Sequence, residues 1–363
     1  MFATIRPWGI IVSHMIKGFS TPEGTARFAS RFPAHQKNGF FRETPQRTLS
    51  AIGIGTYLGA MDEAADRGYE ASIEAAIQGG VNVIDTSLNY RNQRSEKNIG
   101  AALARMNAAG QLQREEILVC SKAGYLVPNA MPAVPLKSGE LVANSHSMAP
   151  AFLEDQLERS RQNLGLETID VYYLHNPETQ LKHFSEDEFY QRVHLAFEQM
   201  EKFCEQGKIA YYGIATWDGL RKDKQLSLEH FTQIALEVGG PLHHFRFAQM
   251  PLNLAMTEAF SLPTQSLSSV PTNALHCAGR MGLTAIGSAS IMQSRLASGL
   301  PDHVREKLGM KTDAQRALQF SRSTPGVVVS LAGMSSPAHV VENLEVANVA
   351  ATEPDKYFKL FVQ

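Results

Sequence analysis

Four side chains sit where short apolar runs of the chain stop: Asp85 closes the run 81–85, Lys122 closes 117–122, His175 closes 169–175, and Tyr90 follows in the segment after Asp85. Their types fit proton transfer. A tyrosine has a reference pKa of about 10 and is a poor acid or base near neutrality unless a neighbour lowers that value. Lys122 is placed to supply the positive charge, and Asp85 to keep a lysine drawn into the interior charged and fixed. His175 is suited to hydrogen-bonding a substrate oxygen. An acid beside a carbonyl, with no metal cluster and no activated serine or cysteine, points to proton-coupled hydride transfer.

Each residue alone has a plainer account. An Asp after a strand caps a turn, a lone Lys is solvated, an isolated His is satisfied in a core, and a Tyr packs. Their joint meaning depends on elements that gather them.

From residue 50 onward, apolar or β-branched runs alternate with segments of helical period, the pattern of βα units. The runs are 51–55, 81–85, 117–122, 169–175, 209–214, 244–250, 283–287 and 327–332. Helical period marks 69–78, 95–105, 151–164, 186–205 and 314–321 between them. Glycines precede several runs, at Gly79-Gly80, Gly165, Gly207 and Gly282, where a helix must end. The continuous apolar stretch 327–329 suits a parallel strand buried on both faces. The expected fold is α/β, a single (β/α)8 TIM barrel over residues 47–363 with an N-terminal extension over 1–46. An open doubly wound sheet is the competing reading, but no GxGxxG turn follows the first run. Barrel active sites lie at the C-terminal strand ends, where Asp85, Lys122 and His175 fall and where the sixth run carries Gln249.

These residues resemble the aldo/keto reductase family. Gly80-Val-Asn-Val-Ile-Asp85-Thr-Ser-Leu-Asn-Tyr90, with Ser95-Glu96 and Ile99-Gly100, is similar to its first signature, with two extra residues between Tyr90 and Ser95. Leu118-Val-Cys-Ser-Lys122 resembles the strand that carries the family lysine, and Asp170-Val-Tyr-Tyr-Leu-His175 the strand that carries its histidine. The resemblance runs from about residue 47 to about 350.

It implies a nicotinamide cofactor extended across the barrel mouth, Tyr90 as general acid, Lys122 and Asp85 tuning it, and His175 positioning the carbonyl. The cofactor-binding set it implies is Gly55, Thr56, Asp85, Thr216, Gln249, Ser288, Ala289, Ile291, Gln293, Gly333, Ser335, Ser336, His339, Glu342 and Asn343. Within that set Gln249 meets the carboxamide, 288–293 the pyrophosphate and 333–343 the adenosine end. Ser335-Ser336-Pro337 also reads as a helix start, whose N–H groups can meet a phosphate.

Three positions depart from the family pattern. Ala215-Thr216 replaces a Ser-Asn pair, so Thr216 alone serves the carboxamide. Leu252 stands where an aromatic residue stacks on the nicotinamide, leaving that face to an aliphatic side chain or to Trp217. Gly333 and His339 occupy positions where NADP-preferring members offer Lys or Arg, which weakens the grip on a 2′-phosphate. The family's habit favours NADP(H) narrowly, with NAD(H) the close alternative. Tyr57, Tyr125 and Trp217 are candidates for the floor of a substrate pocket that takes aldehydes, ketones or sugar-derived alcohols.

Composition narrows the partners. The chain of 363 residues holds 34 basic and 36 acidic residues, a formal net charge of −2, which asks for neither nucleic acid nor an anionic membrane. Three scattered cysteines, Cys120, Cys204 and Cys277, suit free thiols and a cytoplasmic location. No apolar stretch approaches the roughly 18 residues that span a bilayer, the longest near the start being 8–12. Arg6, Lys17, Arg27, Arg31, Lys37 and Arg42 face only Glu23 and Glu43, so the extension reads as a surface arm, with an organellar transit peptide as the alternative. A small carbonyl or alcohol is the expected partner.

Two other functions compete: a cofactor-sensing subunit that keeps the fold and drops turnover, and a metal-dependent hydrolase using His146, His175, His243 and His244. Adjacent histidines on a regular strand point to opposite faces, so His243 and His244 cannot share one ion, and no metal is expected. The methionines read as core filler and Cys120 as a buried, inert thiol.

Overall fold

Eight short parallel strands close on one another in chain order, and the last pairs back to the first. They are β1 (Ile52–Gly55), β2 (Val83–Asp85), β3 (Leu118–Ala123), β4 (Ile169–His175), β5 (Ile209–Ala215), β6 (Phe245–Pro251), β7 (Thr284–Ser288) and β8 (Val329–Gly333). This computed structural model describes residues 15–128, 130–133, 135–222 and 226–360. Every run expected as a strand is one, with ends moved by no more than two residues.

The strands are mostly apolar because both faces are covered. One set of alternate residues, including Val83, Leu118, Cys120, Val171, Tyr173, Phe247, Ile286 and Val329, fills the barrel interior. The other set, including Val119, Tyr172, Ile214 and Ala248, belongs to the layer packed against the helices. Gly213 is required by this filling: a Cβ there would lie 2.3 Å from the Phe247 carbonyl oxygen and 2.9 Å from the Tyr173 ring.

Helices follow the strands as α1 (Glu63–Gln78), α2 (Arg94–Ala108), α3 (Pro150–Leu164), α4 (Glu186–Glu205), α5 (Leu228–Gly239), α6 (Ala274–Arg280), α7 (Asp313–Ser323) and α8 (Pro337–Leu344). Their starts are chemically marked. Asp62 caps α1, while Ser185 with Glu188 and Thr312 with Gln315 form capping boxes for α4 and α7. Gly165 ends α3 in the left-handed conformation that glycine adopts without strain. Helix α1 begins ahead of the expected 69–78 because Asp62 accepts from the Ala65 amide, 2.8 Å away.

The chain before β1 seals the opposite end of the barrel. The hairpin Phe41–Glu43 and Thr48–Ser50 is tied to the start of β2 by Asn82, whose side chain takes the Ser50 amide and donates to the Thr48 carbonyl oxygen. Beside it, Asp170 accepts from the Ser20 amide at 2.6 Å, the Val119 amide at 2.8 Å and Arg114 at 2.5 Å. Ser20 in turn receives Arg47 Nε at 2.8 Å. The helix Pro22–Ser30 lies so close to Glu115 that a Cβ on Gly24 would collide with its backbone. Arg6 and the run 8–12 lie outside the described residues. No helix among the described residues is long and apolar enough to cross a membrane.

Candidate active site

Strand alternation gathers the site. Val83 faces the interior, so Asp85 does too; Cys120 leads to Lys122, Tyr173 to His175 and Phe247 to Gln249. These four side chains form the uppermost layer of the interior stack, at the C-terminal strand ends. Tyr90 arrives from the loop after β2, where its amide donates to the Ser87 carbonyl oxygen at 3.0 Å. The lengthened segment before Ser95 is a tight turn: Arg91, Asn92 and Gln93 all take left-handed backbone angles. Arg91 pays for that strain with hydrogen bonds to Ala60 O, Asn98 and Asp66.

Lys122 is buried, and its ammonium spends its three hydrogens locally. Nζ donates to Asp85 Oδ1 at 2.5 Å and to the Thr86 carbonyl oxygen at 2.8 Å, and it lies 3.5 Å from Tyr90 Oη. Gln249 Nε2 donates to the second Asp85 oxygen at 2.8 Å. Burial is the strongest single influence and works against the lysine's charge, yet Asp85 beside it, with Tyr90 and Cys120 adding to its pull, turns the net direction upward and raises its pKa. For Tyr90 the expected direction is corrected. Burial pushes the phenol up, Lys122 pulls it down, and burial wins. Tyr90 therefore keeps its proton across the neutral range, the state in which it can donate.

His175 packs its ring against Tyr90 and Tyr125, with centroids 5.9 and 5.1 Å away. Burial and the Lys122 charge hold its pKa well below the usual value, so the imidazole is neutral. Its carbonyl oxygen lies 2.7 Å from Nε2 of the buried His146, which meets Gln180 through Nδ1 at 3.1 Å. His146 thus braces the backbone under His175. His244 is elsewhere, with its Nδ1 2.6 Å from Glu201 and its amide on the same carboxylate. Cys204 lies near that pair, and both Glu201 oxygens are already engaged by His244.

A cleft of about 480 Å³ opens above this layer, within the usual range of small-molecule sites. Gly55, Thr56, Asp85, Thr216, Gln249, Ser288, Ala289, Ile291, Gln293 and Gly333 line it, as do Tyr90, His175 and the expected Tyr57, Tyr125 and Trp217. Lys122 stands behind Asp85 and Tyr90. Tyr57 and Trp217 form a half-open rim, 52% and 40% exposed, where a pocket floor was expected. Leu252 is fully buried and does not reach the cleft.

The expected adenosine-end residues separate from the rest. Ser335, Ser336, His339, Glu342 and Asn343 do not line the cleft. Ser336 caps α8, His339 is exposed, and Asn343 is buried. Among the described residues, neither Lys nor Arg lines the cleft. Thr216 Oγ1 lines it with no hydrogen-bond partner although buried, a polar atom that a bound amide would satisfy. Ser290, inside the expected 288–293 loop, lines it as well, and so do Asn89, Asn176, Leu58 and Ser294, which were not anticipated. Ser290 and Ser294 lie in or beside the expected 288–293 loop, so its range was the available signal.

The family model described as the aldo/keto reductase family matches residues 51–237. The chain is 28% identical to human aldo-keto reductase family 1 member C2 over 56% of its own length, but spans only half of that relative. It is 24% identical to the rat family 1 member D1, covering 85% of this chain and 86% of that one. A fission-yeast protein named as a putative voltage-gated potassium channel subunit beta is 23% identical over 82% and 84% of the two chains. Among solved structures, an aldo/keto reductase from Klebsiella pneumoniae in complex with NADP and acetate superposes with a TM-score of 0.61 at 21% identity, covering 87% and 91%. A glycerol dehydrogenase from Gluconobacter oxydans gives 0.63 at 21%, covering 88% and 93%. With a family model over half of the sequence and this barrel shared along most of each neighbour, the chain belongs to the aldo/keto reductase family.

Proposed function

We propose that the protein is an NAD(P)(H)-dependent reductase that transfers a hydride between the nicotinamide and the carbonyl carbon of a small, uncharged aldehyde, ketone or sugar-derived substrate, with Tyr90 as general acid and base. The carrying observation is the file Asp85, Lys122, Tyr90 at the cleft, with 2.5 and 3.5 Å between successive polar atoms. When bound, the cofactor supplies or accepts the hydride. Tyr90 gives its phenolic proton to the carbonyl oxygen, and the Lys122 ammonium stabilises the phenolate left behind. Asp85 holds that ammonium charged, and His175 positions the substrate oxygen. The reverse sequence oxidises an alcohol.

Thr216 and Gln249 are the groups suited to the carboxamide, and the loop 288–293 to the pyrophosphate. NADP(H) remains the narrow preference, supported by neighbours solved with NADP or NADPH. NAD(H) is close behind, because Gly333 and the exposed His339 offer no fixed positive charge. Among the described residues, Asp85 is the one ionic carboxylate or ammonium group lining the cleft, which favours uncharged substrates. We assign catalysis to residues 47–363, treat 1–46 as an N-terminal extension whose described part, 15–46, packs at the barrel's sealed end, and place the protein in the cytoplasm on the strength of its unpaired cysteines.

The test is an equilibrium titration with NADPH and, separately, NADH, followed by loss of nicotinamide absorbance over a panel of small aldehydes. Binding plus turnover that falls by a factor of about 10²–10⁴ in Tyr90→Phe supports the reading. Binding of neither nucleotide sinks it. A silent, cofactor-sensing subunit is the second reading, favoured by the likeness to the fission-yeast channel-subunit relative. Binding without turnover, unchanged in Tyr90→Phe, would select it.

A further inference from the structure

At the end of the barrel away from the cleft, three donor side chains of different type meet. Glu201 and Cys204 stand three residues apart on one face of the last turns of α4, and His244 stands just ahead of β6. A Glu201 carboxylate oxygen, Cys204 Sγ and a ring nitrogen of His244 all lie within 4.8 Å of one another. The carboxylate is held in place: Oε1 takes the His244 amide at 2.8 Å, which aims Oε2 at Nδ1, 2.6 Å away. Gly239, the last residue of α5, closes over it, and a Cβ there would lie 2.7 Å from Glu201 Oε1. Beside Glu201 and Cys204, the buried Tyr212 phenol oxygen has no hydrogen-bond partner. Arg246 directs its guanidinium to His243 and to the Phe245 carbonyl oxygen.

We propose that Glu201, Cys204 and His244 bind one zinc-class divalent ion, which clips the end of α4 to the start of β6. Thiolate, imidazole and carboxylate are the donor types that zinc takes, and one water would complete its tetrahedron. Sulfur and nitrogen also set the preference, since magnesium and calcium call for oxygen donors. Only one of the two adjacent histidines takes part, as strand geometry demands. The backbone amide on Oε1 is the outer support that orients a ligating carboxylate. The ion takes the place of the hydrogen between Oε2 and Nδ1, which moves to Nε2 of the partly exposed ring. Burial, and after it the charges of Glu201 and Glu205, push the Cys204 thiol up, so without an ion the sulfur keeps its hydrogen. A divalent ion on the sulfur reverses that balance, and the thiol proton leaves to solvent. A water in the fourth position would give the Tyr212 hydroxyl the partner it lacks.

The site is independent of the reductase reading, and zinc binding in a protein that reduces no carbonyl would leave it intact. The test uses the full chain, freed of metal by a chelator and kept reduced by a phosphine. Zinc is titrated in competition with a chromogenic chelator, and cobalt(II) serves as the optical probe because a cobalt–thiolate bond adds a charge-transfer band in the near ultraviolet. The expected result is one ion per chain, the thiolate band, and an unfolding midpoint that zinc raises and the chelator restores. Cys204→Ser should abolish the band, and Cys204→Ser and His244→Gln should each weaken zinc binding by about a hundredfold or more. Both side chains are partly exposed, and glutamine can still donate to Glu201, so each variant should unfold in the chelator near the native midpoint. A band that survives in Cys204→Ser would place the ion on Cys120 or Cys277 and overturn the site. So would a titration with no thiolate band, unaltered zinc affinity in His244→Gln, or a midpoint that magnesium raises as far as zinc does.

Discussion

Glu178 Oε1 lies 2.7 Å from the backbone nitrogen of Trp217 and also takes the amides of Asp218 and Gly219, at 3.2 and 3.4 Å. One carboxylate oxygen from the segment after β4 thus gathers three successive amides of the segment after β5, as an anion does in a backbone nest. Burial pushes the Glu178 carboxyl up, against the downward pull of those amides. The clamp fixes the stretch that carries Thr216 and the Trp217 rim. Glu178→Ala should lower stability by about 1–3 kcal/mol and raise the KM for carbonyl substrates more than it lowers kcat. Steady-state kinetics with a urea titration checks both; an unchanged KM would mean that the rim holds itself.

Asp85 and Lys122 form a buried ion pair, with side chains 5% and 1% exposed. Removing one partner strands the other's charge, so Asp85→Leu or Lys122→Met should each cost about 3–5 kcal/mol. Asp85→Leu combined with Lys122→Met should cost less than the sum of the single changes, because no orphaned charge remains. A double-mutant cycle on urea midpoints measures this coupling, and additive losses would contradict it. All three variants should lose turnover.

His146 ties stability to pH. Burial holds its pKa down to about 4, whereas an unfolded histidine titrates near 6.5. As pH falls between these values the unfolded chain binds a proton that the folded chain refuses, so stability declines, by about 3 kcal/mol once both states are charged. His175 and His243, both also held low, act in the same direction. His146→Gln keeps a donor for the His175 carbonyl and should flatten the decline by one proton. Urea unfolding at several pH values from about 7 to about 4.5 measures the slope; an unaltered slope would place the effect elsewhere.

Asp170 supplies the contrast from the sealed end. Its carboxylate meets Arg114 and two backbone amides, far along the strands from the cleft. Asp170→Asn should cost about 3 kcal/mol or more with kcat and KM unaltered for the molecules that remain folded. A shift in either constant would show that the two ends of the barrel communicate.

The strands and most helices are legible because burial on both faces, or on one, leaves a period in the sequence. The site's upper layer is legible for the same reason: Asp85, Lys122 and His175 end apolar runs, and another run carries Gln249. Loop residues carry no such period. Ser87, Asn89, Asn176 and Glu178 acquire their roles from contacts that the turns create, and the Gln249 bond to Asp85 joins positions 164 apart. Helix α5 does repeat its apolar residues, at Leu228, Phe231, Ile234 and Ala235, but follows a polar stretch that obscured its start. The basic extension read as an arm because charge balance says nothing of partners; Arg27 and Arg31 in fact share the buried Glu116.

The half-open rim gives the molecule a built-in optical probe. The chain has only two tryptophans, Trp8 and Trp217, and the second is 40% exposed on the cleft wall. Emission from that indole overlaps the absorption of a reduced nicotinamide, so a filled cleft should quench it and transfer its energy. Trp8→Phe leaves Trp217 as the sole emitter, and every binding and release step then becomes visible in the native protein without a label.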